Sequence, residues 1–418
     1  MRSRKAVVAG GAGVVVAALG YRAWNRGVLA GATGPAYLPW EEWRGSDADG
    51  TKRPLRSAIL AASPHDTQPW LFAVSGSVVA VHADRSRHLG SFDPFRREMH
   101  LGVGCAIENF VCAAHAFGMI PDVQRATGRL ELSPPPQPAL AARIALRAGR
   151  PTPDVLFDAI PHRHTNRGPY RHVAIAPGRL DGLVNLAAGP DVRVVFVSDR
   201  GARRELGAMI VAATERIIAD PEMSTDSFRW IRAGQRDVLA HRDGVTIDTS
   251  GTSRLMTIAG KMAPDLGAAT IDRIWLRMTR DVHTATAPVF GMILVRDRLD
   301  MASTIAAGRA WQRLHLALTA QGLAGQPLNQ PVEIIDRYQM LGRNDDFRPA
   351  FATLARTEGW EPTFVFRLGY ARRQALPSPR RPLSDVVKNE TQTRLALSSR
   401  PDKDAKRRYE PDRDGDCG

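Results

Sequence analysis

The stretch LGVGCAIENFVCAAHAFGM, residues 101–119, has few charges, many small residues and a glycine at its end suited to a helix carboxyl cap. Laid over IAAGRAWQRLHLALTAQGL, residues 305–323, at a constant offset, it places Gly104, Ala106, Ala113, Ala116 and Gly118 on Gly308, Ala310, Ala317, Ala320 and Gly322. Both segments read as long, Ala-rich, buried helices at the centres of two related halves. Small residues on such helices let two backbones approach closely, and a shared packing need would produce the same similarity without a common origin.

A second pair extends the pattern. LRSAILAASPHDTQPWLFAVSGSVVAVHAD (55–84) and GRLDGLVNLAAGPDVRVVFVSD (178–199) each read as an amphipathic helix, a break and a β-rich run. The proline-rich SPPPQPAL (133–140) suggests a boundary near 135–155. TFVFRLGY (363–370) alternates as a strand, and the intervening helices indicate an α+β fold rather than a regular βαβ series. The expected organisation is a leader or membrane anchor over 1–36, a first half over 37–150, a second half over 151–387 and a disordered tail over 388–418.

Length and 44% hydrophobic residues suit a globular chain. The net charge of +14 comes almost wholly from arginine, with Lys supplying six of 57 basic residues, and no nucleic-acid-binding signature accompanies it. Nucleic acid is therefore excluded as the expected partner. Cys105, Cys112 and Cys417 form no CxxC pair, so neither a disulfide framework nor a zinc site is indicated. The closest histidine pair, His162 and His164, lacks Cys or acidic neighbours for a metal.

At the amino terminus, Arg2, Arg4 and Lys5 precede an apolar run from Ala6 to about Gly20, the anatomy of an export signal or a short anchor. Gly10, Gly11 and Gly13 approach a dinucleotide fingerprint but lack its third glycine and its following strand and acid. The main domain is expected outside the cytoplasmic membrane, exported or anchored through this segment. The last residues, KNETQTRLALSSRPDKDAKRRYEPDRDGDCG, have mixed charge and no period.

Four stretches carry chemistry. In ILAASPHDTQPWLF (59–72), Ser63-Pro64 forces a helix to stop before a short polar loop and a strand, making the loop a candidate ligand edge. AIPHRHTNRGPYRH (159–172) places Arg163, His164, Thr165 and Arg167 together, two arginines and a hydroxyl able to enclose a phosphate. GLAGQPLNQPVE (322–333) follows the second central helix, and RLGYA (367–371) leads to SPRRPLSDVV (378–387) with its Arg380-Arg381 pair. A solvated basic loop, an ordinary helix-terminating loop and a surface turn are the bland readings of the last three.

Together these stretches resemble the nitroreductase family of FMN-binding flavoproteins, over about residues 50–387, and within it the fused, two-half Acg-like group. SPHDTQPW is similar to the family's PSxxNTQPW loop, with Asp66 in place of the usual Asn. RHTNR is similar to its RRSxR motif. The resemblance implies a nitroreductase-like fold duplicated in one chain, two halves mimicking a homodimer, with mixed or antiparallel sheets and long central helices. It implies a monomeric pseudo-dimer in which the second half holds FMN and the first supplies the loop. Ser63, Asp66, Gln68, Arg163, His164, Thr165, Arg167, Pro327, Asn329, Gln330, Arg380 and Arg381 are the implied cofactor contacts. The implied activity is hydride transfer from NADH or NADPH through FMN to a small conjugated acceptor; FMN binding without turnover is the alternative. No catalytic proton donor is identified: His65, His164 and Tyr170 lie near motifs, but each is as well explained by structure.

Overall fold

Two 20-residue helices, Arg97–Ala116 and Met301–Ala320, cross at the centre of the molecule. The computed structural model describes residues 17–388, apart from residues 29, 46–49 and 264–265. Most of the expected leader's apolar run and all but the first residue of the expected tail lie outside the described residues. Among the described residues, no helix is long and apolar enough to cross a membrane.

The helices form where expected, and both caps are the expected glycines: Gly118 and Gly322 take φ of 76° and 70°, the left-handed region that other residues avoid. The Asp300 side chain caps the second helix by accepting from the Ser303 amide at 2.7 Å. The crossing is a backbone contact. A Cβ on Gly104 would lie 2.3 Å from the Ile305 carbonyl oxygen, and one on Gly308 would lie 2.1 Å from that of Leu101. Under the overlay that sets Leu101 on Ile305 and Gly104 on Gly308, these two contacts occupy equivalent positions.

Polar groups flank the crossing. The Cys105 thiol donates to Gly308 O (3.2 Å), Gln312 donates to Asn109 Oδ1 (2.7 Å), and Arg309 and Arg313 donate to buried Glu108 (2.8 and 2.7 Å). Cys105 and Cys112 are both buried free thiols.

Each helix carries a sheet. In the first, β1 (Trp70–Ser75), β2 (Val78–Ala83), β3 (Met119–Arg125) and β4 (Ala139–Ala148) run antiparallel in the order β1-β2-β4-β3. The second contains β5 (Arg193–Val197) and, after a two-stranded parallel ribbon of β6 (Ile231–Arg232) and β7 (Val245–Thr246), β8 (Val289–Val295), β9 (Ala324–Pro327) and β10 (Glu361–Gly369), antiparallel in the order β5-β8-β10-β9. The chain then returns: β11 (Val387–Lys388) pairs parallel with β1, Val387 opposite Phe72, making the first sheet mixed. The fold is thus α+β with one mixed and one antiparallel sheet; one apolar core runs through both, and a second packs on the other face of the second sheet.

The strand expected at TFVFRLGY forms as β10, between β8 and β9 and buried on both faces. Two local expectations change. SPPPQP lies in the connection between β3 and β4, inside the first sheet, so the prolines interrupt a strand pair. The segment expected as a leader includes residues that pack on the protein: Arg22 Nε donates to Met262 O (3.0 Å) and Ala36 O accepts from the Arg380 amide (2.7 Å).

Gly308→Ala is expected to destabilise by about 1–3 kcal/mol, because the added methyl meets backbone that cannot swing away. Gly178→Ala, where a Cβ meets nothing within 4 Å in the helix Pro177–Ala187, is expected to be neutral or stabilising. Equilibrium denaturation of the two variants checks this; equal effects would remove the crossing's importance.

Candidate functional site

The loop after the helix Arg53–Ala58 is held in an uncommon shape. His65, Asp66 and Gln68 have φ of 46°, 54° and 49°, left-handed values that cost non-glycine residues of order 1–3 kcal/mol each. Ser63 Oγ accepts the Gln68 amide (3.0 Å), and Gly102 of the first central helix gives the loop room, since a Cβ there would lie 3.0 Å from Pro64 Cδ. The second central helix also reaches the loop, with Gln312 Oε1 accepting from the Ala62 amide (3.2 Å).

Gln68 fixes the shape. Its fully buried carboxamide donates to Arg242 O (2.9 Å) and Pro379 O (3.3 Å), and accepts from the Arg381 amide (2.8 Å). One side chain therefore joins the loop, the carboxyl-terminal arm and the segment between β6 and β7.

Against this loop lies a cluster of cations. Arg163 Nη2 donates to Leu60 O (3.0 Å), and Arg380 Nη2 donates to Ala61 O (3.2 Å). Arg380 Nη1 pairs with Asp66 Oδ1 at 2.5 Å, and its guanidinium lies 4.7 Å from the centre of the Trp40 ring. Arg163 and Arg380 are each 2% exposed, and the Nε of each has no hydrogen-bond partner among the described residues. Half-buried Arg167 donates to Thr249 O (3.2 Å) and also acts on Asp66.

Burial pushes the Asp66 carboxyl up to about 7; Arg380, Arg163 and Arg167 pull against this rise and Asp243 adds to it. Burial and the neighbouring Arg380 bring Arg163 down to about 9, so it stays cationic at neutral pH. Burial, then Arg163 and Arg380, hold His164 down to about 3. The site therefore holds three guanidiniums, neutral imidazole and one carboxylic group near its midpoint. Orphaned buried donors and excess positive charge fit a phosphate.

The strand β10 positions the arginine loop. Buried Arg367 donates to Gly168 O (2.6 Å) and Gln326 Oε1 (2.7 Å) and stacks 3.9 Å from the Tyr170 ring centre, while Tyr170 donates to Asn166 O (3.0 Å). Tyr170 is thus engaged in holding the loop.

Of the sequence candidates, Ser63, Asp66, Gln68, Arg163, His164, Arg167, Arg380 and Arg381 come together, with Thr165 half-buried between His164 and Arg167. Arg381 holds the arm, donating to Gln68 O at 3.3 Å. The 322–333 stretch differs from the loop expected: Ala324–Pro327 is β9, with Pro327 opposite Phe366, and Gln330 opens the helix Gln330–Met340. Asn329 is already engaged, donating to Glu98 and accepting from the Val365 amide, so its amide serves the core. Gln330 is buried and its Oε1 has no partner.

The sequence reading missed the walls. Trp40 meets His164 edge-on at 4.6 Å and donates to Ser378 O (2.8 Å). Gly244 N donates to Asp66 O (3.2 Å), and Gly251, with φ of 79°, lies so close that a Cβ would be 2.3 Å from Arg167 C. That last glycine is the only sequence signal for this contact.

No family model matches the chain. Two relatives named "Putative NAD(P)H nitroreductase", from two strains of Mycobacterium tuberculosis, are each 27% identical over 352 residues, covering 82% of this chain and 92% of theirs. The sequence relatives support the nitroreductase family. Among solved structures, the chain is similar to a nitroreductase with bound FMN from Desulfitobacterium hafniense (14% identity, 57% of this chain and 98% of that one, TM-score 0.35). It is also similar to the FMN-dependent nitroreductase NfnB from Mycobacterium smegmatis in complex with NADPH (17% identity, 56% and 97%, TM-score 0.37).

Gln68→Ala should lower the unfolding free energy by about 1–3 kcal/mol, because it leaves Arg242 O and the Arg381 amide without their side-chain partner. Protease cleavage within 230–263 should speed up in step. Unchanged stability and cleavage would show that the carboxamide does not join these segments.

Proposed function

We propose that the chain is an FMN-dependent oxidoreductase of the nitroreductase family. In this reading it takes reducing equivalents from NADH or NADPH and passes them to a small conjugated acceptor such as a quinone or nitroaromatic. The observation that carries the reading is the buried pair Arg163 and Arg380, each with an unpartnered Nε, beside Arg167. The relatives of that name and the FMN-bound and NADPH-bound structures of similar proteins support it.

Arg163, Arg167 and Arg380 would hold the phosphate of FMN. When bound, FMN supplies the centre that accepts a hydride from a nicotinamide and returns electrons to the acceptor. Gln68 keeps the SPHDTQPW loop in its left-handed shape, and Trp40 and the Ala36 backbone wall the arginines from water. His65, brought down to about 4 by burial and then by Arg167, stays neutral and packs edge-on against Phe92 at 5.2 Å.

The two halves act as the subunits of a dimer, with one FMN per chain. SPHDTQPW occurs only in the first half and RHTNR only in the opening of the second, so each supplies what the other lacks. The chain then works as a monomeric pseudo-dimer.

A second reading, FMN held without turnover, is favoured by the segment over the loops. Arg242 O, Gly244 N and Thr249 O bond Gln68, Asp66 and Arg167, closing over the residues that would face the cofactor. Stopped-flow mixing with NADH or NADPH separates the two. Bleaching of flavin absorbance within seconds is expected; a yellow protein unchanged by either nucleotide would sink the oxidoreductase reading.

Arg163→Ala with Arg167→Ala should weaken FMN binding roughly 100-fold or more, from about 1.5–3 kcal/mol for each lost charge-assisted bond. Arg53→Ala with Arg56→Ala should leave it unchanged. Equilibrium dialysis reads both, and a double variant that keeps wild-type affinity would move the phosphate elsewhere.

A further inference from the structure

We propose that Asp66 is a resident counter-anion of the phosphate pocket, whose carboxylate must take up a proton when a phosphate monoester enters, so that cofactor retention weakens as pH rises. The proposal rests on the FMN reading above and adds a regulatory residue to it.

Three observations carry the inference. First, the Asp66 carboxylate sits on the cation that the pocket would offer a ligand, 2.5 Å from Arg380 Nη1. Second, this contact leaves cation donors unused: Arg163 Nε and Arg380 Nε are buried and unpartnered, so the site retains demand for a further anion. Third, Asp66 cannot readily swing to solvent. It is 9% exposed, its backbone has φ of 54°, and its carbonyl accepts from Gly244 N at 3.2 Å.

The groups around Asp66 come from every packed element. Arg380 comes from the carboxyl-terminal arm, Arg163 and Arg167 from the arginine loop, Asp243 from the segment between β6 and β7, and Tyr37 from the amino-terminal segment. On its own loop, Gln68 Nε2 lies 3.4 Å from Asp66 Oδ2. Two of these, Asp243 and Tyr37, give the carboxylate no cationic help. Asp243 is already paired with Arg232 (2.6 Å) and Arg87.

The ionised carboxylate is thus held by the same guanidiniums that would hold a phosphate. Two anions on one cation repel, and the phosphate, carrying about −1.5 to −2 at neutral pH, raises the proton affinity of the carboxylate further. The balance is simple: one proton passes from solvent to the Asp66 carboxylate as one phosphate enters, and no covalent bond of either changes.

The sign follows from linkage. Without ligand, Asp66 titrates near its raised value of about 7, and with phosphate beside it above that value. Between the two values the bound state holds more protons, so affinity falls as pH rises. The same group makes the unliganded fold lose stability as pH rises from the unfolded carboxyl range toward about 7, because the folded state keeps the proton longer.

The experiment is titration of the protein, freed of flavin, with FMN and separately with riboflavin, which has the ring and no phosphate. Wild type and Asp66→Asn are compared from about pH 7 to about pH 8.5, where a fully linked proton weakens binding up to about tenfold per pH unit. Calorimetry of the wild type at about pH 7.5, in phosphate-free buffers of different ionisation enthalpy, counts protons directly and does not depend on the variant folding. Expected are an FMN dissociation constant that rises steeply with pH in the wild type, a nearly flat one in Asp66→Asn, a flat one for riboflavin, and net proton uptake with FMN alone. A slope shared by Asp66→Asn or by riboflavin, or no proton uptake by the wild type, overturns the proposal. FMN that binds tightly and without a pH slope sinks the counter-anion and leaves the cofactor reading standing. FMN that binds neither protein at any pH overturns both.

Discussion

Everything at the site depends on how closely two helices approach. At Gly104 and Gly308 the backbones touch with no space for a methyl group, and no other residue type would permit that approach without shifting one helix. The distance sets where the two sheets stand, because each packs on its own helix. It also sets where Leu60 and Ala61, ahead of the SPHDTQPW loop, meet Arg163 from the arginine loop and Arg380 from the arm that returns to the first sheet. A glycine pair at the helix crossing thus fixes the spacing of the arginines.

The loop is then under two opposed demands. Its left-handed residues are unfavourable locally, and its Asp66 is unfavourable to bury. Both costs are met by contacts from distant parts of the chain. Gln68 reaches residues 242, 379 and 381, and Asp66 reaches residue 380. Such a loop has no reason to hold its shape alone. It does so only in a chain folded along its length, which ties a competent pocket to the complete fold.

What could be read in the sequence was what depends on neighbours in sequence. The central helices follow from small-residue spacing and capping glycines, the break at Ser63-Pro64 from proline geometry, and the RHTNR cluster from residues a few positions apart. What could not be read depends on partners hundreds of residues away. Asn329 looks like a polar loop residue until Glu98 and Val365 are seen to occupy its amide. Ala36 reads as the end of a leader and Trp40 as the start of the first half, yet one supplies a carbonyl to the Arg380 amide and the other a ring beside its guanidinium. Burial of β10 on both faces belongs to the same class, because it is set by β8, β9 and the helices that cover the sheet.

Arg380 and Arg381 show how little adjacency says about role. One arginine of the pair enters the cluster while the other remains with the arm. Arg380 is drawn in by two carbonyls and a carboxylate; Arg381 turns back to Gln68 O and Asp385 O. Both are needed, but for different reasons. Arg380 supplies charge where an anion would sit, and Arg381 supplies the amide that completes the hydrogen bonding of Gln68. Loss of either side chain would thus act on different quantities, Arg380 on the charge of the pocket and Arg381 on the strength with which the arm is held. The charge of the pair alone, as written in the sequence, cannot distinguish a ligand from the latch that keeps it in place.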